Sequence, residues 1–118
     1  MKENVLKDKS FAFAVRMMHV FRHLQQVKKE YIVTKQLLRS ATAVGALVRE
    51  AEYAESKNDF IHKLAIAQKE ANETIYWLDL LAAADYLSPN EAASLLFDAT
   101  ELLKLLTSSI KTTKKNND

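Results

Sequence analysis

The 118-residue chain contains no cysteine, and glycine and proline occur once each, as Gly45 and Pro89. Without cysteine there is no disulfide, no thiolate metal ligand and no thiol nucleophile. A single glycine cannot build a phosphate-cradling loop, which needs at least two. Nor can one glycine and one proline supply the turns of a sandwich, barrel or doubly wound sheet, where punctuation returns every ~8–12 residues. Long apolar runs are missing as well. The stretch from Leu80 to Ala84 is among the longest, far short of the ~20 residues that cross a bilayer. The opening Met1-Lys2-Glu3-Asn4-Val5-Leu6-Lys7-Asp8-Lys9 carries charges where a secretory leader has an unbroken apolar core. A cytoplasmic protein without a membrane partner is the expectation.

What remains is rich in Ala, Leu, Lys and Glu, residues that favour helix. The length suits one domain, which buries roughly two-thirds of its unfolded surface and needs no staples. Four helical segments are predicted, over about 10–29, 34–55, 58–86 and 89–112, with a polar tail at 113–118. Thr34 is positioned to cap the second, and Asn58-Asp59 to open the third. The fourth opens on Ser88-Pro89-Asn90-Glu91, which combines an N-cap serine, proline at the first helical position and a capping-box glutamate. Short connections imply antiparallel neighbours, hence an all-α, up-down four-helix bundle forming a single domain.

Apolar residues recur at helical spacing in every segment. Val33, Leu37, Ala41, Val44, Val48 and Ala51 line one face of the second; Phe60, Leu64, Ala67, Ala71, Leu78 and Ala82 line one face of the third. The fourth repeats the pattern with Leu95, Ala99, Leu102, Leu106 and Ile110. Gly45, four residues after Ala41, suits a close approach of a neighbouring helix, because glycine inside a helix otherwise costs ~1 kcal/mol.

The first helix has a surplus. Phe13, Met17, Val20, Leu24 and Val27 form a heptad seam, and beside it lies a second stripe of Phe11, Ala14, Val15, Met18 and Phe21. A surface helix of a monomer usually carries one such face. Trp77 and Leu81 also fall off the main stripe of the third helix. Phe11, Val15, Met18, Phe21, Trp77 and Leu81 are therefore the candidate contact with another copy of the chain.

Catalytic constellations do not assemble. A di-metal carboxylate bundle needs two Glu-x-x-His pairs and two more inward glutamates; this chain offers only Asp59-x-x-His62. His19 and His23 are four apart, but Arg16 shares their strip and disfavours a cation. Most serines sit at expected helix ends, and none has evident histidine and acid partners. No enzyme activity, cofactor or metal is expected.

Charge is uneven although the net is only +2. Residues 1–49 hold ten Lys/Arg against three acids, and residues 50–118 hold seven against twelve. Arg16, Arg22, Lys28, Lys29, Lys35, Arg39 and Arg49 fall on or between the first two helices and are the candidate phosphate contacts, with Lys111, Lys114 and Lys115 as possible additions from the tail. Solvated helix faces carry such residues too, so the charge split alone fits nucleic acid, head-to-tail contact between copies, or simple solubility.

Several segments bear a family likeness: Leu37-Leu38-Arg39-Ser40-Ala41-Thr42-Ala43-Val44-Gly45, Glu50-Ala51, Glu55-Ser56-Lys57-Asn58-Asp59-Phe60-Ile61-His62-Lys63-Leu64, Glu70-Ala71-Asn72-Glu73-Thr74 and Tyr76-Trp77-Leu78. In order and spacing they resemble the bacterial four-helix-bundle family named for open reading frames within 23S ribosomal RNA intervening sequences. The likeness runs from about Phe11 to Leu106. It implies a homopentameric ring, and a related branch, the accessory variability determinant of diversity-generating retroelements, is a basic pentamer that binds nucleic acid and a reverse transcriptase. This chain departs from the family at Leu47-Val48-Arg49-Glu50-Ala51, where many members read Asn-Ile-Ala-Glu-Gly, and the family brings no catalytic residues. The resulting expectation is a homo-oligomeric binding or scaffold module, with RNA or another nucleic acid as partner. The alternative is an adaptor docking a partner protein through an apolar helix face.

Overall fold

The computed structural model describes residues 2–116, with side chains from Val5 onward. Four α-helices fill it, α1 (Lys2–Gln26), α2 (Val33–Ala51), α3 (Lys57–Ala83) and α4 (Pro89–Lys115), with no strand among the described residues. The body measures 51 × 21 × 20 Å, one helix long and two helices wide. Side-chain pairs fix the antiparallel order. Lys7 meets Glu52 between α1 and α2, Lys63 meets Glu50 between α2 and α3, Gln68 meets Thr107 between α3 and α4, and Lys9 meets Glu101 between α4 and α1. Each helix packs on its two neighbours, and among the described residues the backbones of diagonal helices do not come within 8 Å of one another at Cα. The core stripes are those of the sequence pattern, with Phe13, Met17 and Leu24 facing Leu37, Val44, Leu64, Leu78, Leu95 and Leu106 across one apolar interior.

The helix ends differ from the predicted boundaries for identifiable reasons. α1 starts at Lys2 and not near Ser10, because Leu6 continues the Phe13–Met17 seam into the core one turn earlier. Ser10 is consequently buried mid-helix, its hydroxyl donating to the Lys7 carbonyl at 3.1 Å. Thr34 does not cap α2. The Glu30 carboxylate does, accepting from the backbone N–H groups of Ile32, Val33 and Thr34 and from the Thr34 hydroxyl at 2.7–3.2 Å. α2 stops at Ala51, and α3 begins one residue before Asn58, with Ser56 as the cap accepting from Asp59 N–H at 3.0 Å. α4 opens as the sequence predicts, Ser88 and Glu91 bonding reciprocally behind Pro89. It continues through Lys115, so residues 113–115 of the expected tail are helical and Asn117 and Asp118 lie outside the described residues.

With its one glycine spent inside α2, the chain turns out of α1 and α3 on other residues. Lys29 (φ 60°) and Asp85 (φ 67°) occupy the left-handed region. After Asp85, Tyr86 N–H reaches the Leu81 carbonyl at 2.9 Å, the closing bond of a Schellman stop; after Lys29, Glu30 N–H reaches one residue further back, to the Leu24 carbonyl at 3.0 Å.

Candidate functional site

Helix α1 separates its two stripes cleanly. Phe13, Met17 and Leu24 are buried, while Phe11 (56 % exposed), Val15 and Met18 (48 %) face outward, with Phe21 half-covered and Ala14 half-covered on the flank toward α2. Val27 lies beyond the helix end and is exposed. Between α1 and α2 the outward stripe borders a groove of about 280 Å³, floored by Ser10, Ala14, Gly45 and Ala46 and walled by Phe11 and Arg49. The Arg49 guanidinium sits 5.2 Å from the centre of the Phe11 ring, within cation–π range. A Cβ placed on Gly45 would lie 3.4 Å from the Ser10 carbonyl oxygen. The helices therefore do approach closely there, and the gap still admits a methyl group.

The α3 residues of the expected contact do not join this face. Leu81 is only 1 % exposed and belongs to the core. It continues the line through Thr74 and Leu78, a stripe that the polar Thr74 disguises in the sequence. Trp77 is half-buried against the core, donating its indole N–H to Glu73 at 2.9 Å and meeting Tyr76 edge-on at 5.0 Å. Phe97, absent from the sequence-derived set, stands 70 % exposed on α4. A lone phenylalanine outside a leucine stripe gives no periodic signal, which is why sequence reasoning passes over it.

The seven basic candidates do not form one patch. Arg16 turns to α4, bonding Asp98 at 2.6 Å and the Ser94 hydroxyl at 2.8 Å. Arg39 bridges to α3 through Glu70 and Glu73, and Arg49 covers Phe11. These three cations are already answered within the chain. Arg22, Lys28, Lys29 and Lys35 gather instead at the end of the bundle where α1 passes into α2, and none of them makes an ion pair among the described residues. Lys111 and Lys115 lie at the other end, along the outer face of α4 with Lys104.

Three carboxylates are held below their usual range. Burial pushes Glu30 the other way, but the bonds from the Thr34 hydroxyl and the N–H groups of Thr34, Val33 and Ile32 prevail together. Trp77 and then Arg39 hold Glu73 down. The Ser88 backbone and hydroxyl do the same for Glu91, with smaller help from His23 and Lys28. All three are helix-end or interhelix anchors, and none faces a second carboxylate across a cleft. His19 and His23 are exposed and line a hollow of about 280 Å³ between α1 and α4 with Arg16, Val20 and Glu91. His62 is exposed on α3. No group of three or more His, Asp or Glu among the described residues could hold a metal ion, and no helix there is long and apolar enough to cross a membrane.

The profile of the 23S rRNA-intervening sequence protein family matches residues 2–108, and the chain belongs to that family. It is 52 % identical to a protein of unknown function from the S23 ribosomal protein family of Bacteroides thetaiotaomicron, whose crystal structure superposes with a TM-score of 0.93. The match covers 94 % of this chain and 99 % of that one. No curated protein matches.

Proposed function

We infer that this family member is a non-enzymatic, cytoplasmic binding or scaffold protein that assembles into a homo-oligomeric ring of five copies and contacts RNA through cations near its first two helices. One observation carries the assembly: α1 buries Phe13 and Met17 in its own bundle while holding Phe11, Val15 and Met18 out to solvent. An apolar row of this kind beside a small-residue groove is the sort of surface that marks an interaction site. Assembly bears on the RNA reading, because a modest basic end repeated on every copy multiplies affinity through effective concentration.

Light scattering tests the ring directly. The wild-type chain is expected at about five times its 13.4 kDa mass across salt concentrations, and Met18→Glu is expected to reduce the assembly while leaving the helical content intact. A wild-type monomer at every concentration would refute the assembly. The outward Phe97 on α4 favours a second reading, an adaptor whose partner protein docks on that face; binding of a partner abolished by Phe97→Ala, with no RNA bound at low salt, would establish it.

A further inference from the structure

The connection between α1 and α2 has a composition that its short length does not require. Tyr31 (48 % exposed) and Ile32 (79 %) project from it, and Val27 is exposed at its start. Apolar side chains in a six-residue turn ordinarily fold back onto the bundle, as Leu87 does in the α3–α4 connection at the same end, where it is buried. Nor is this turn slack. Lys28 and Glu30 donate their N–H groups to the carbonyls of His23 and Leu24, Lys29 holds the left-handed conformation, and the Glu30 carboxylate binds the start of α2 at three N–H groups. Tyr31 is thus presented on a fixed scaffold, and little ordering entropy would be lost when something binds it.

Charge selects the kind of occupant. Glu30 is the one acid between Gln26 and Gln36, and its carboxylate is turned inward onto α2. Lys28 lies in the field of Glu91 on α4, leaving Lys29 in the turn, and Arg22 and Lys35 on the helix ends that it joins, without an ion pair among the described residues. An aromatic face with flanking cations is the combination that grips single-stranded nucleic acid, where a base stacks on the ring and phosphates on either side meet the cations. A duplex offers that ring nothing, since its bases are stacked on one another.

We propose that the α1–α2 turn is a single-stranded RNA contact in which Tyr31 stacks on an unpaired base and Lys29, Lys35 and Arg22 hold the neighbouring phosphates. This deepens, and rests on, the RNA reading above. The test is fluorescence anisotropy of the full chain with a labelled oligouridylate of about twelve nucleotides, a span within known single-strand site sizes, and with a duplex of equal length, over a salt series. Wild type binds the single strand more tightly than the duplex. Tyr31→Ala weakens single-strand binding about tenfold and Tyr31→Phe restores it, as expected for stacking. Lys29→Gly removes one cation at a position whose backbone conformation glycine adopts freely, so it spares the fold and lowers the salt slope by about 0.7, the single-strand value for one phosphate. Circular dichroism confirms that each variant is helical.

RNA binding that Tyr31→Ala leaves unchanged overturns this contact and leaves the broader RNA reading standing. No binding of either RNA at low salt overturns both. Tyr31-dependent binding to phosphatidylserine vesicles in place of RNA assigns the turn to a membrane surface and overturns the proposal.

Discussion

Replacing Glu30 by alanine should destabilise the protein more than any other exposed or half-exposed acid would. The carboxylate serves four donors, with Thr34 N–H and hydroxyl both at 2.7 Å. Thr34 is itself fully buried, so water cannot fully replace what the substitution removes. Losing an N-cap costs about 0.5–2 kcal/mol, and a buried donor left without its charged partner adds to it at about 1–3 kcal/mol. A total of about 2–3 kcal/mol is expected, or about 8–12 °C in Tm for a domain of this size. Glu30→Gln keeps one acceptor oxygen for the two Thr34 donors but loses the charge and turns an NH2 toward the N–H groups of Ile32 and Val33, so a cost of about 1–2 kcal/mol, below that of alanine, is expected.

The pH dependence separates the two contributions. Glu30 ionises below its ordinary value of 4.5 in the folded chain. Its charge therefore stabilises fully above that ordinary value, and the contribution is lost as pH falls through the lower folded value. Protonated Glu30 then resembles glutamine, so the wild-type and Glu30→Gln melting curves should converge in acid, while Glu30→Ala stays lower. Acid loss at Glu73 and Glu91 is common to all three proteins and cancels. Thermal melts followed by circular dichroism from pH 7 downward measure this; a Glu30→Ala Tm within about 1 °C of wild type at pH 7 would refute the capping argument.

Other substitutions test separate parts of the structure. Met17→Ala should cost about 2–5 kcal/mol in urea unfolding, whereas Met18→Ala, one residue along and facing out, should cost less than about 0.5 kcal/mol once dilution has separated the copies; equal effects in the separated chains would contradict the two-faced α1. Asp85→Gly, at a left-handed position, should raise stability by about 1 kcal/mol, and a fall in Tm would show that the aspartate side chain is needed. Gly45→Ala should be neutral or stabilising by up to ~1 kcal/mol, since a methyl group fits against Ser10; a clear loss of stability would mean that α1 and α2 lie closer than the structure places them. Ser40 and Thr74 share a buried hydroxyl bond of 2.8 Å between α2 and α3. Ser40→Ala should cost about 1 kcal/mol, and adding Thr74→Val should recover part of it in a double-mutant cycle.

The bundle was legible because each stripe repeats at helical spacing with few interruptions. Leu81 reads as off the stripe in the sequence because a threonine occupies its line at 74 and hides the continuation. The sequence points to Thr34 as the cap of α2 because the group that does cap it, Glu30, lies four residues upstream and reaches forward through a side chain, a contact that no local pattern announces. The outward stripe of α1 could be read from sequence, since two apolar faces on one helix exceed what one core uses. How the cations distribute could not. Arg16, Arg22 and Arg39 look alike in a string of letters, and only the opposing helix decides which of them finds a carboxylate.

The segments that carry the family likeness are largely the two sides of one seam. Arg39 reaches Glu70 and Glu73, Ser40 meets Thr74, Trp77 closes on Glu73, and Lys63 finds Glu50. What those letters spell is the joint between α2 and α3, a hinge pin that holds the barrel of helices in register. Two proteins can share that fastening and still display different hands to the world from α1, α4 and the turn at Tyr31. Kinship detected through it vouches for the chassis and leaves the cargo to be found on the outside.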